Sequence, residues 1–271
     1  MTAYILDEEV THNRHKKRPA IIICPGGGYI KLAHRESEPV VMRLLGMGYN
    51  VFLLRYSVYL KKRENAQGVA VTNPNFNVFD SYLDLEASLK IIAEKQKEWF
   101  IDTNYLYLMG FSAGAHYIAY FMEHQKDYTI PAGIRIKGLI MSYPMINVQT
   151  VNLAEGNHYL NEAIKPEDYD KLDLLQHVTE DFPRTFIWQG GEDKTTSPIA
   201  TTKFFLQLKE HQVPCELHLF ETGQHGVSLA DETVALTDGD IDKVLSQWIK
   251  LLFTWLKKDQ GPVVLYPDER E

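Results

Sequence analysis

The chain has 271 residues, 45% of them hydrophobic and 24% charged, with two cysteines and a formal net charge of −8. That apolar content excludes intrinsic disorder and allows a sizeable core, and two cysteines are too few for a disulfide scaffold. No apolar run approaches the roughly 20 residues of a membrane-spanning helix, and the acidic balance disfavours nucleic-acid backbones and anionic lipid as partners.

In chain order, the first residues, Met1 to Glu9, lack a basic segment followed by a long apolar one, so no secretory signal is read and a cytoplasmic location is expected. The basic run Arg14-His15-Lys16-Lys17-Arg18 is too short for a nucleic-acid face and reads as a solvated approach to the first strong strand. That strand is Ala20–Cys24, a β-branched run ending at Pro25-Gly26-Gly27-Gly28. A helix is predicted over Glu36–Gly46 and a strand over Tyr49–Arg55, followed by a polar loop at 61–77. A helix over Asp80–Trp99, a strand over Tyr105–Met109 and a helix over Ala113–Glu123 come next, then strands at Ile136–Ser142 and Thr185–Trp188. A helix over Ser197–His211, a strand over Cys215–Phe220 and a closing amphipathic helix over Asp240–Lys257 complete the pattern. Alternation of this kind predicts an α/β class fold: a mostly parallel central sheet with crossover helices on its faces. The stretch at about 144–182 breaks the rhythm and, being too short for its own core, reads as a cap-like insertion in a single domain spanning 1–271. Cys24 and Cys215 border apolar runs and are expected to be buried, reduced thiols.

Chemistry concentrates at the predicted carboxyl ends of strands. Gly110-Phe111-Ser112-Ala113-Gly114 is a G-x-S-x-G motif between a strand and a helix, the context in which a sharp turn exposes the serine hydroxyl. A serine needs a base, and the base needs an orienting acid. His225, in Gly223-Gln224-His225-Gly226 after the last strand, is the chosen base. Among its rivals, His116 projects away from the turn, His218 alternates within a strand, His12 and His15 lie in the basic approach, and His34, the best of them because it follows the glycine run, is read as a substrate contact. Asp193, in Gly190-Gly191-Glu192-Asp193 after the preceding strand, is the chosen acid, with Glu192 beside it as the alternative. The amides of Gly27, Gly28 and Ala113 are assigned to an oxyanion hole. Tyr29, His34 and Tyr56 are assigned to substrate contact, and Tyr56, Tyr59, Tyr143, His158 and Tyr159 are aromatics able to stack on sugar rings. Lys31 stands where a dinucleotide fingerprint needs its third glycine, and no phosphate-binding loop or metal-ligand spacing is found, so no cofactor and no metal are expected.

Cys24-Pro-Gly-Gly-Gly-Tyr29, Gly110-Phe-Ser-Ala-Gly114, Gly190-Gly-Glu-Asp193 and Gly223-Gln-His225-Gly226 together resemble the α/β-hydrolase superfamily, most of all its small carboxylesterases of the acetyl-xylan or feruloyl-esterase type. The resemblance spans about residues 18–257 and implies Ser112 as nucleophile, Asp193 as acid, His225 as base, and short acyl esters, acetylated sugars among them, as substrates. Two departures stand out: Pro25 occupies the place of a histidine found in the hormone-sensitive-lipase-like relatives, and the first strands of the fold are reduced to the surroundings of Tyr4-Ile5-Leu6. The same three side chains also suit a peptidase, an amidase or an acyltransferase, and a non-catalytic binding module on the same fold is a different class of reading; the oligomeric state is not legible.

Overall fold

The computed structural model describes residues 1–6, 17–62 and 69–260. Its regular elements are β1 (Thr2–Tyr4), β2 (Arg18–Cys24), α1 (Glu38–Leu45), β3 (Asn50–Leu53), β4 (Leu60–Lys62), β5 (Val71–Thr72), α2 (Val78–Ser81), α3 (Leu83–Lys95), β6 (Ile101–Phe111), α4 (Ala113–Glu123), β7 (Ile136–Ser142), α5 (Asn157–Ala163), β8 (Thr185–Gly190), α6 (Pro198–Glu210), β9 (Cys215–Phe220) and α7 (Trp248–Gln260), joined in places by short 3₁₀ turns. The main sheet has seven strands in the order β1-β3-β2-β6-β7-β8-β9. All neighbours pair in parallel except β1, which runs antiparallel to β3. The expected α/β architecture is therefore present; among the described residues, one short strand, β1, precedes β2.

Alternation along the strands divides the core between the two faces of the sheet. Ala20 and Ile22 of β2 face a cluster shared with α3, α4 and α6, whereas Ile21 and Ile23 face one shared with α1 and α7. All four are fully buried, so a β-branched run covered on both sides is the physical cause of the strand. Each such side chain contributes about 1.5–3 kcal/mol of transfer free energy. Helix α4 is buried along nearly its whole length, from Ala113 to Met122, which makes it the central support behind the elbow. Helix α7 covers the opposite face, its Trp248 stacked on Trp188 with 4.7 Å between ring centroids.

Sheet order also locates the functional edge. From β2 the chain crosses to β3 on one side and later returns to β6 on the other, so the carboxyl ends of β2 and β6 flank the topological switch point where ligands bind in open α/β sheets. Cys24 pairs with Gly110, and the glycine loop and the G-x-S-x-G turn leave the sheet side by side.

Several expectations are corrected. The polar loop at 61–77 contains the two-stranded β4–β5 pair, and the single helix expected over Asp80–Trp99 is divided into α2 and α3. The closing helix begins at Trp248, preceded by 3₁₀ turns at Asp238–Asp240 and Leu245–Gln247. Stretch 144–182 holds α5 and three 3₁₀ turns. The basic run up to Lys16, with His12 and His15, lies outside the described residues, and Arg18 is buried at the start of β2 rather than solvated. Cys24 is fully buried and burial pushes its thiol pKa up; Cys215 is only half-buried. No described helix is long and apolar enough to cross a membrane.

Candidate active site

Ser112 sits between β6 and α4 with φ 51° and ψ −117°. A side-chain-bearing residue pays about 1–3 kcal/mol for such a backbone, and the surroundings enforce it. A Cβ on Gly114 would lie 2.0 Å from the carbonyl oxygen of Cys24, and one on Gly110 would lie 2.2 Å from that of Gly114. Strand and helix therefore approach too closely for any residue but glycine at either position, which is the physical content of the motif. The Ser112 amide donates to the Ser142 carbonyl at 2.9 Å, and its own carbonyl accepts from Met145 at 3.1 Å, tying the turn to the end of β7.

His225 reaches this turn from the loop after β9. Its Nε2 lies 2.9 Å from Ser112 Oγ and its Nδ1 lies 2.8 Å from Asp193 Oδ2. Since a carboxylate only accepts, Nδ1 carries the proton donated to Asp193 and Nε2 faces the serine hydroxyl as acceptor. Asp193 is held from every side: its Oδ1 accepts the Thr195 and Thr196 amides at 2.8 and 2.9 Å, and its Oδ2 accepts the Thr196 hydroxyl at 2.9 Å and Gln189 Nε2 at 3.1 Å. Burial of this carboxyl raises its pKa, but the bond and charge of His225 and the two amides outweigh burial and hold it below the ordinary aspartate value. Glu192, by contrast, is exposed and faces Gln224 at 3.5 Å. Asp193 is thus the acid brought to the imidazole, and Ser112, His225 and Asp193 form one connected relay.

The glycine loop lies on the other side of Ser112. Gly27 has φ +124° and Gly28 φ +67°, and a Cβ on Gly27 would fall 2.0 Å from the Lys31 carbonyl oxygen. The Gly27 carbonyl accepts from Ile30 and Lys31, while the Gly27, Gly28 and Ala113 amides donate to no other described residue. Leu153, from the 144–182 stretch, lies over Gly28, its Cδ1 2.7 Å from where a Cβ would stand.

The expected substrate contacts are corrected in part. Tyr29 is fully buried, its hydroxyl 2.8 Å from His116 Nδ1 and 3.1 Å from the Tyr82 hydroxyl. Tyr56 is 1% exposed, donates to the Pro25 carbonyl at 2.8 Å and stacks on Tyr117. Both rings are spent inside the core because several tyrosines and His116 gather under the glycine loop, where each hydroxyl finds an internal partner. Tyr143, read as a sugar-stacking side chain, is also buried. His34 is exposed on a 3₁₀ turn, and the His158–Tyr159 pair, with 3.8 Å between centroids, lies at the surface of the insertion. His116 faces away from the serine as expected, its Nε2 donating to the Leu172 carbonyl at 2.7 Å, and burial drives its pKa down to about 4.

One residue escaped sequence reading altogether. Glu36 is buried at 3% exposure, accepts the Gly26 amide at Oε2 (2.7 Å) and the Tyr143 hydroxyl at Oε1 (2.7 Å). Its only sequence signal is a charged residue close behind the glycine run. Among the described residues, no group of three His, Cys, Asp or Glu is arranged to hold a metal ion.

A strained serine at a strand–helix turn on the switch edge of this sheet defines a hydrolase of the α/β-hydrolase superfamily. The profile of the prolyl oligopeptidase family matches residues 81–248, and the chain belongs to that family. A sugar hydrolase from Lactococcus lactis is 32% identical and superposes with a TM-score of 0.79 over 96% of this chain and 95% of its own. An acetyl ester-xyloside bifunctional hydrolase from Caldicellulosiruptor lactoaceticus is 27% identical, with a TM-score of 0.71 over 95% of this chain and 86% of its own. An acetylxylan esterase from Xylanibacter ruminicola is 22% identical over 254 residues, 90% of this chain. The chain spans only 46% of that protein's length and 34% of another curated relative's.

Proposed function

We propose that the protein is a serine carboxylesterase that releases short acyl groups, acetyl above all, from esters of sugars, and that residues 1–271 form one hydrolase domain with 144–182 as a cap. The observation that carries the reading is the relay itself: hydroxyl to imidazole at 2.9 Å and imidazole to carboxylate at 2.8 Å, beside the Gly27 and Gly28 amides, which donate to no other described residue. Acyl transfer needs this set of parts. His225 Nε2 removes the Ser112 proton as Oγ attacks the ester carbonyl. Asp193 keeps the imidazole in the required tautomer and balances its charge. The amides of Gly27, Gly28 and Ala113 receive the oxyanion. The imidazolium protonates the departing alcohol, and the same imidazole then activates water to release the acid from Ser112. The acetyl and sugar parts are supported by the relatives, a sugar hydrolase, an acetyl ester-xyloside bifunctional hydrolase and an acetylxylan esterase. His34 and the His158–Tyr159 pair are the exposed groups left for contact with the alcohol.

A second reading, peptide cleavage by the same relay, draws on the family's description. Turnover of p-nitrophenyl acetate, acetylated xylo-oligosaccharide and an aminoacyl p-nitroanilide separates the two. The esterase reading expects the first two to turn over well above the third, and Ser112→Ala to lose about 10⁶-fold in kcat. Full turnover by Ser112→Ala, or an anilide preference, overturns it.

A further inference from the structure

We propose that Glu36 is a positioning residue of this site: one buried carboxylate that fastens the glycine loop to the histidine loop and keeps both aligned on Ser112. The inference rests on the serine-esterase reading above.

The geometry converges on the short turn His34–Glu36 from three directions. From the glycine loop, the Gly26 amide donates to Glu36 Oε2 at 2.7 Å, and the Ala33 amide donates back to the Gly26 carbonyl at 3.0 Å. From the end of β7, the Tyr143 hydroxyl donates to Glu36 Oε1 at 2.7 Å. From the histidine loop, Ser228 Oγ donates to the Arg35 carbonyl at 2.6 Å, and the Ser228 amide donates to the Tyr143 hydroxyl oxygen at 3.2 Å. A chain of bonds therefore runs from Gly26, one residue before the proposed oxyanion donors, through Glu36 and Tyr143 to a residue three positions past His225. The Tyr143 ring also meets the imidazole directly, edge to face with 5.0 Å between centroids.

Strain supports a positioning role over mere filling of space. Tyr143 has φ +35° and Ser228 φ +54°, conformations that cost side-chain-bearing residues about 1–3 kcal/mol each and persist only where the surroundings impose them. Both lie on this chain of bonds. Gly26 is wedged in the same place: a Cβ there would stand 2.9 Å from Glu36 Oε2 and 2.9 Å from Ser112 Cβ.

Counting protons assigns the charge. An amide N–H can only donate, so Oε2 is an acceptor. The Tyr143 oxygen already accepts from Ser228, and its own proton points to Oε1. Both carboxylate oxygens are occupied as acceptors, which is the pattern of the anion. Burial holds the Glu36 pKa above the usual glutamate value, and the bonds from Tyr143 and Gly26 with the charges of His225 and Arg35 offset that rise only in part. The groups facing it are Arg35 on its own turn, His225 from the loop after β9 and Tyr143 from the loop after β7, with Asp240 3.5 Å from Arg35. When Ser112 gives its proton to the imidazole, this carboxylate adds to Asp193 as a fixed negative charge that needs no reorganisation.

The test compares Glu36→Gln and Tyr143→Phe with wild type on p-nitrophenyl acetate, with kcat expressed per serine titrated by a fluorophosphonate; Ser112→Ala, which leaves no serine to titrate at this site, is measured per mole of protein. Glu36→Gln keeps the volume and removes the charge; Tyr143→Phe keeps the ring and removes both of its bonds. The expected result is a 10- to 100-fold fall in kcat for each, with KM within about threefold, because misplaced donors and base weaken the transition state more than the ground state. Wild-type kcat per titrated site in Tyr143→Phe, or in a folded Glu36→Gln, together with an inactive Ser112→Ala, overturns the Glu36 assignment alone. An active Ser112→Ala overturns the esterase reading and this inference with it. Because Tyr143→Phe leaves Glu36 in place, a failure of Glu36→Gln to fold does not remove the test.

Discussion

On one side of Ser112 stand His225 and Asp193, carried by the loops after β9 and β8; on the other lies the glycine loop after β2. The first wall presents side chains, and each holds the next: Asp193 fixes the imidazole, and two amides, a hydroxyl and Gln189 fix Asp193. The second wall presents bare backbone. A glycine has no side chain with which to anchor itself, so its support comes from elsewhere: Glu36 on the Gly26 amide and Tyr56 on the Pro25 carbonyl. The difference teaches that the side chains of the proposed base and acid hold one another, whereas the proposed oxyanion donors, being backbone, are held only through neighbouring residues such as Glu36 and Tyr56.

The contrast is broken first at the relay. His225→Ala is expected to lower kcat about 10⁶-fold, much as Ser112→Ala does, because the groups act as one unit. Asp193→Asn keeps the shape but offers the imidazole an amide, which stabilises the wrong tautomer; a loss of about 10⁴-fold is expected. Combining His225→Ala with Ser112→Ala should cost little more than either alone, measured by p-nitrophenyl acetate turnover. Additive losses would mean that the two do not share a step.

The same contrast explains what could be read from residues alone. Ser112, Asp193 and His225 were legible because each follows a strand and because glycine brackets them where backbones nearly collide, as at Gly110 and Gly114. Strand Ala20–Cys24 was legible from an unbroken apolar run, and Cys215–Phe220 from alternation of apolar with polar residues. The second wall was not. Glu36 precedes α1 and looks like an ordinary acidic residue at a helix start; only the fold turns it inward. Tyr29 and Tyr56 looked like substrate contacts because a tyrosine beside a glycine loop carries a polar tip, and sequence cannot say that His116, Tyr82 and the Pro25 carbonyl satisfy those tips internally. The β4–β5 pair is too short to show any period.

A smaller effect sharpens the comparison at Tyr56. Tyr56→Phe keeps the ring stack on Tyr117 but leaves the buried Pro25 carbonyl without its hydroxyl donor. An unmatched buried acceptor costs about 1–3 kcal/mol of stability, to be read as a lowered urea midpoint. Turnover should fall less than tenfold, since the Gly26 anchor on Glu36 remains. A loss as large as that of Asp193→Asn would show the glycine loop to be held chiefly from Tyr56.

The smallest effect on turnover is expected beneath the same loop, at His116. Its Nε2 donates to Leu172 and its Nδ1 accepts from Tyr29, so the ring is satisfied only when neutral. Burial depresses its pKa from 6.5 to about 4 in the folded chain. The unfolded chain therefore binds a proton at a higher pH than the folded chain does. This contribution to stability is complete above pH 6.5 and is lost as pH falls toward about 4, by a few kcal/mol over that window. His116→Gln can reproduce one donor and one acceptor without titrating. Urea midpoints at pH 7, 6 and 5 should fall more steeply for wild type than for His116→Gln, with ester turnover at pH 7 nearly equal. Parallel slopes would mean that the proton reaches this imidazole without unfolding the prop beneath the glycine loop.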